Sequence, residues 1–155
     1  MGEKISMRHA YGKALVQLGE RMPDLVVLDA DVSNSTQTHF FATAYPERFF
    51  NLGIAEAGMV DVAVGLALAG KVPFANTFAF LLALRAMEQI RTHLAYGQAN
   101  VKLAAGYAGL SDSFDGPTHH SVCDMALMRA LPNMVVVAPA DAVEMEKLLP
   151  QVAER

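Results

Sequence analysis

The sequence predicts an α/β fold: an open parallel β-sheet with helices on both faces. Three observations carry this expectation. Short β-rich runs alternate with stretches of helical periodicity along the chain. One run, Leu25-Val26-Val27-Leu28, is apolar at every position, as a parallel strand covered on both faces is expected to be. Gly19, Pro46, Gly70, Gly97 and Pro139 punctuate the changes of period, which is how a βαβ rhythm is written.

In chain order, Ile5 to Gly19 carries Ala10, Ala14, Leu15 and Leu18 at helical spacing and stops at glycine. Leu25 to Leu28 is the first strand, and Ser35 to Tyr45 a short helix ended by Pro46. Arg48 to Leu52 is a second strand. Ala55 to Ala69 is a helix apolar nearly all round apart from Glu56 and Asp61, so it is expected to be largely buried. Val72 to Thr77 is the third strand. Phe80 to Tyr96 reads as one long helix with Arg85, Glu88 and Arg91 on one face. Val101 to Ala105 is a fourth strand, Tyr107 to Thr118 a Gly/Ser/Asp-rich loop, and Ser121 to Ala130 a helix with Ser121 as its N-cap. Met134 to Ala138 is a fifth strand, and a last helix starts at Asp141. The 155 residues make a single domain, 1–155.

Composition narrows the function. Hydrophobic residues form 53% of the chain, which excludes disorder. Charged residues form 18%, below the roughly 25% usual in soluble domains. Either part of the surface is covered by another chain or domain, or the fold is a tightly packed Ala-rich one. The net charge of −4 gives no basic field for a polyanion, so nucleic acid is not an expected partner. The most apolar stretch, Phe74 to Leu84, is too short to cross a bilayer, and no membrane partner is expected. The single Cys123 precludes an intrachain disulfide and, with an N-terminus lacking an apolar leader core, points to a cytoplasmic protein.

Ligands of such sheets bind beyond the carboxyl ends of the strands. The segments there hold the candidates. Glu56 stands in the first turn of an almost wholly apolar helix. It either complements the helix dipole or serves as a carboxylate in an apolar pocket, able to share a proton with a ligand nitrogen. Phe78 and Phe80 follow the third strand as core residues or as a wall for a flat heterocycle. Asp115-Gly116-Pro117 is a tight turn leading into His119 and His120. Asp29-Ala30-Asp31 follows the first strand as a helix-capping loop or a site loop. His120-x-x-Cys123 with Asp124 lacks a second ligand pair, so no metal is assigned to this chain. Neither standard glycine-rich phosphate loop is present.

Taken in order, Asp29-Ala30-Asp31, Gly53-Ile54-Ala55-Glu56, Thr77-Phe78-Ala79 leading into Arg85 and Glu88-Gln89-Ile90-Arg91, Asp115-Gly116-Pro117-Thr118-His119, Arg129 to Met134 and Pro139-Ala140-Asp141 resemble the pyrimidine-binding domain of transketolase. The opening Met7-Arg8-His9-Ala10-Tyr11-Gly12 is similar to the start of the C-terminal subunit of split transketolases. The resemblance spans nearly the whole chain. It implies half a site for thiamine diphosphate, a cofactor lying between two domains of different protomers. Glu56 would hydrogen-bond pyrimidine nitrogen N1′ and promote the 4′-imino tautomer. Phe78 would stack on the ring. Leu81 would stand where relatives place a second aromatic, and Asp31 near the cofactor at the interface. Asp115 and His119 would hold the sugar hydroxyls, with His119 also assisting proton movement.

The resemblance further implies a partner. The Gly-Asp-Gly motif that holds diphosphate and Mg²⁺ in the family is absent from this sequence. A diphosphate-binding subunit or domain would supply it in a homo- or hetero-oligomer, and this chain by itself is expected to be inactive. The complete enzyme would move a two-carbon ketol unit between sugar phosphates. Related readings are a deoxyxylulose-phosphate synthase, a 2-oxo-acid dehydrogenase β-type domain, or a non-catalytic assembly module of the same fold. The Asp115 to His119 loop favours transketolase. Tyr107 occupies the position of a phosphate-contacting histidine in some relatives, and His120 and Cys123 are variations without an assigned role.

Overall fold

The computed structural model describes residues 5–155, so residues 1–4 of the expected single domain lie outside it. The elements are α1 (Met7–Arg21), β1 (Leu25–Asp29), α2 (Ser33–Thr36), α3 (His39–Ala44), β2 (Phe49–Asn51), α4 (Glu56–Leu68), β3 (Val72–Phe78), α5 (Ala79–Arg85), α6 (Met87–Gln89), β4 (Lys102–Gly106), α7 (Asp124–Ala130) and α8 (Ala142–Glu154). A π-helical stretch, Ile90–Tyr96, continues α6. The described residues form one four-stranded parallel sheet in the order β2-β1-β3-β4. The expected α/β class with an open parallel sheet is therefore the observed one.

Strand side chains alternate between two cores, because successive residues of a strand point to opposite faces. Leu25 and Val27 of β1 and Phe74 of β3 pack with Tyr11, Leu15 and Leu18 of α1, Phe41 of α3 and Leu149 of α8. Val26, Leu28 and Ala75 face the other way, onto Met59, Val60 and Ala63 of α4 and Leu82 of α5. This double coverage is the reason β1 is apolar from Leu25 to Leu28, while the buried polar residues Asp29, Asn76 and Thr77 fall toward the carboxyl ends of β1 and β3.

Five expectations need correction. The Ser35 to Tyr45 segment is two helices, since Gln37 takes a left-handed conformation at φ 66°. Thr36 and Thr38, on either side of it, both donate hydroxyl hydrogen bonds to buried Asp29, at 2.9 and 2.8 Å, and this fixes the break. The long helix from Phe80 is likewise interrupted at Ala86 (φ −108°, ψ 12°). Arg85 therefore does not share a face with Glu88 and Arg91. Glu88 instead accepts from Arg91 and Thr92 at the surface. Met134 to Ala138 is no strand: it makes no ladder with β4, and Val135 and Val137 stay more than half or half exposed, at 56% and 50%. A fifth strand needs backbone partners, and apolar alternation alone does not supply them.

The fourth correction concerns α4. Only Glu56, Met59, Val60 and Ala63 are buried, while Val62 and Leu68 are exposed. The sheet covers one stripe of a helix, and a second covering element is absent among the described residues. The helix before Ala130 begins at Asp124 rather than Ser121. Ser121 instead pairs with Gly109, donating its N–H to the Gly109 carbonyl at 2.9 Å.

Candidate functional site at the carboxyl edge of the sheet

With β1 between β2 and β3, the chain leaves β1 toward one edge and returns through α4 to the other. Such a reversal opens a crevice beyond the carboxyl ends of β1 and β3. Asp29 ends β1 and Phe78 ends β3. The connection from β2 crosses the same edge. Gly53 adopts φ 70°, a conformation that glycine takes without strain, and donates to Asn51 Oδ1 at 3.0 Å. That turn aims the chain into α4, whose first residue is Glu56.

Glu56 lies on the buried stripe of α4 and is 3% exposed. A carboxylate placed there needs a partner. It has one: Arg85 Nη1 donates to both carboxylate oxygens, at 3.3 and 3.4 Å. Arg85 is the last residue of α5, and its side chain is 53% exposed. The spacing of 29 residues between them offers no sequence signal for this pair.

Beside it, rings gather at the end of β3. Phe78, buried, meets Tyr107 edge-on with centroids 4.8 Å apart, and His119 at 6.4 Å. Phe80 meets His119 at 5.0 Å. The structure thus brings Phe78 and His119 together from segments more than forty residues apart, and adds Phe80 and Tyr107 to them. Tyr107 sits at φ 56°, its hydroxyl bound by the Arg8 guanidinium. Leu81 is buried, and the ring packed on His119 is that of Phe80. Asp31 stands apart from this cluster: it is exposed, at φ 65°, and accepts from Asn51 Nδ2 at 2.9 Å.

The loop after β4 brings in the remaining candidates. Gly116, at φ 79°, turns the chain into a 3₁₀ segment, Pro117–His119. Asp115 is exposed, and His119 half-buried with Nδ1 3.1 Å from Thr118 Oγ1. Asp112 is buried. Burial, reinforced by the charge of Asp115, pushes its carboxyl above the usual aspartate range, against the opposing pull of His119 and His120. Asp112 Oδ2, His120 Nε2, Ser121 Oγ and, at the end of β3, Thr77 Oγ1 are buried without a hydrogen-bond partner. Orphaned polar atoms concentrated at one edge of a sheet mark a place built for a polar ligand or ordered water.

Sequence reasoning quotes two further contributors, Asp29 and Arg85, without seeing what they bind. Asp29 is fully buried. Its Oδ1 accepts from Val32 N at 2.7 Å, and its Oδ2 takes the two threonine hydroxyls. The helix-capping reading of the Asp29 loop anticipates the first of these bonds and not the others. Arg85 is the second, since its apparent face on a continuous helix hid its contact with Glu56.

The fold is a parallel sheet covered on both faces, with the candidate residues gathered at its carboxyl edge. The family described as "Transketolase, pyrimidine binding domain" matches residues 3–155. The chain belongs to that family. It is 48% identical over 148 residues to a putative transketolase C-terminal section of Methanocaldococcus jannaschii, covering 96% of this chain and 47% of that protein. It is 40% identical over 148 residues to human transketolase, covering 95% of this chain and 23% of the human protein. Among solved structures it is similar to one titled "Split gene transketolase, inactive beta4 tetramer", with TM-score 0.87, 51% identity, and coverage of 99% of this chain and 49% of that one. The chain thus spans about half the length, or less, of these relatives.

Proposed function

We propose that this chain binds the aminopyrimidine end of thiamine diphosphate and, joined to a diphosphate-binding chain that also holds Mg²⁺, completes a transketolase that moves a two-carbon ketol unit between sugar phosphates. The observation that carries this reading is Glu56. It is a carboxylate at the first turn of an apolar helix, buried to 3% exposure, with a half-exposed side chain as its partner. The residues present fit the group. A ring nitrogen needs a buried carboxyl with free hydrogen-bonding capacity, and Arg85 is able to yield its place. The orphaned Thr77 hydroxyl lies at the end of the same strand as Phe78.

When bound, thiamine diphosphate supplies the carbon centre that carries the two-carbon unit. The rest falls to this chain. Glu56 holds a proton at the pyrimidine nitrogen and sets the tautomer of the ring. Phe78 and, beside it, Leu81 exclude water from the ring's apolar surface, and Asp31 lies at the rim toward the partner. Asp115 accepts from a donor hydroxyl, and His119 orients the hydroxyls and moves a proton there. The acidic balance supports an assembly free of nucleic acid, the shortness of the apolar stretches one free of membrane, and the single cysteine one working in the cytoplasm.

The test is reconstitution with a diphosphate-binding transketolase subunit. Glu56→Ala is expected to reduce turnover by about 100-fold or more and to remove the heat of thiamine diphosphate binding. Unchanged turnover in that variant would sink the mechanism.

A further inference from the structure

The pair between Glu56 and Arg85 has features that a fixed structural ion pair lacks. One partner is buried and the other more than half exposed, at 3% and 53%. A single nitrogen of the guanidinium straddles both carboxylate oxygens at 3.3 and 3.4 Å. Charge-assisted bonds of good geometry are shorter, about 2.7–2.9 Å, and arginine's strong mode uses two parallel N–H groups. Arg85 also ends its helix, at the irregular step through Ala86 that separates α5 from α6. Glu56, in contrast, has no other hydrogen-bond partner among the described residues. A buried carboxylate without any partner is costly, so the chain without cofactor needs a counter-charge here.

We infer that Arg85 is a placeholder for the cofactor: it compensates Glu56 while the site is empty and swings out to release the carboxylate when the aminopyrimidine arrives. This rests on the reading of Glu56 proposed above. Arg85 is then a positioning residue acting through Glu56. The site's apparent affinity is reduced by the fraction of chains in which the pair is closed. A flexible exposed cation suits this task. It is attractive enough to neutralise the carboxylate, yet its weak geometry and access to water keep its release inexpensive.

The inference predicts two effects of opposite sign from one substitution. In the reconstituted complex, Arg85→Gln should bind thiamine diphosphate with Mg²⁺ about twofold to fivefold more tightly, the range of a half-exposed ion pair. In the chain without partner or cofactor, the same substitution should lower Tm by about 1–4 °C. Adding Glu56→Gln to it should restore much of that loss, and Arg85→Lys should lie near the wild type in both experiments. A merely structural arginine would weaken binding and stability together. Unchanged or weaker cofactor binding in Arg85→Gln, with normal binding by the wild-type complex, overturns the placeholder alone. No binding by the wild-type complex overturns the proposed function and the placeholder with it.

Discussion

Asp29 is the residue on which the geometry around β1 depends. It joins the end of the central strand to the left-handed break between α2 and α3 through three hydrogen bonds, at 2.7, 2.9 and 2.8 Å. Buried donors left without acceptors cost about 1–3 kcal/mol each. Thr36 has a second acceptor in the Val32 carbonyl at 3.2 Å, so part of the loss is recovered. Asp29→Ala is therefore expected to cost roughly 2–5 kcal/mol in urea unfolding. Burial raises the proton affinity of this carboxyl, outweighing the hydrogen bonds that favour its charge. The native state consequently holds the proton more firmly than the unfolded chain does. Its contribution to stability is full below the ordinary aspartate range and is lost as pH rises through the folded value. The difference in stability between wild type and Asp29→Asn should thus change as pH rises above the ordinary aspartate range, in the direction that favours the wild type at the acid end. A pH-independent difference would show that Asp29 does not titrate in the native state. Glu56 belongs to the same scale, with Arg85 its one hydrogen-bond partner among the described residues.

Among the elements, α1 shows how close packing is encoded. A methyl group at Gly12 would lie 2.5 Å from the Gln37 carbonyl oxygen and 2.8 Å from Phe40. The obstacle is backbone, held in place by the Asp29 bonds, so it cannot move aside. Gly12→Ala gains helix propensity yet should lose about 1–3 kcal/mol net from overpacking, read as a lower urea midpoint with unchanged slope. At its other end α1 is closed by Arg48. Arg48 Nη1 donates to the Gly19 and Met22 carbonyls at 3.0 and 3.1 Å, and its guanidinium carbon lies 3.9 Å from the Tyr45 ring centroid. Cations at a helix carboxyl end are stabilising, and charged hydrogen bonds more so. Arg48→Ala is expected to cost about 1.5–3 kcal/mol by thermal unfolding. A loss below about 0.5 kcal/mol, as at ordinary surface sites, would assign that closure to other contacts. The last helix needs no such aid. Asp141 accepts from Glu144 N at 2.8 Å while Glu144 accepts from Ala140 N at 2.6 Å, a reciprocal cap written in the sequence.

For the whole molecule, exposed apolar residues lie on several elements, Tyr96 and, on α8, Val143 among them at 86% and 59%, and one group surrounds the candidate edge. Ile54, just before α4, is 73% exposed, and Leu110, Phe114 and Val122 surround the loop of Asp115 at 67%, 100% and 81%. By contrast α1 and α8 close the opposite layer. Among the described residues no helix is long and apolar enough to cross a membrane. An assembly completed at the carboxyl edge should leave a footprint there. On addition of a diphosphate-binding partner, amide exchange is expected to slow over residues 53–68 and 107–122 and to stay unchanged over α1 and α8. Protection confined to α1 and α8 would place the interface on the other side and dissociate it from the site.

Much of this was legible in the sequence. The run Leu25 to Leu28 announced a strand covered on both faces, and the start of the last helix at Asp141 is a local event decided by a few neighbouring residues. Glu56 stood out because a lone carboxylate in an apolar helix requires an explanation. The motifs that resemble transketolase identified the family. Local periodicity could not decide what depends on distant partners. It could not tell that Met134 to Ala138 lacks a strand to pair with, that one face of α4 stays uncovered, or that Asp29 breaks a helix by binding threonines on both sides of Gln37. Nor could it bring Arg85 to Glu56 or Phe78 to His119. Backbone bias and side-chain period act over a few residues, whereas burial and ion pairing are fixed only when the sheet order sets which segments meet.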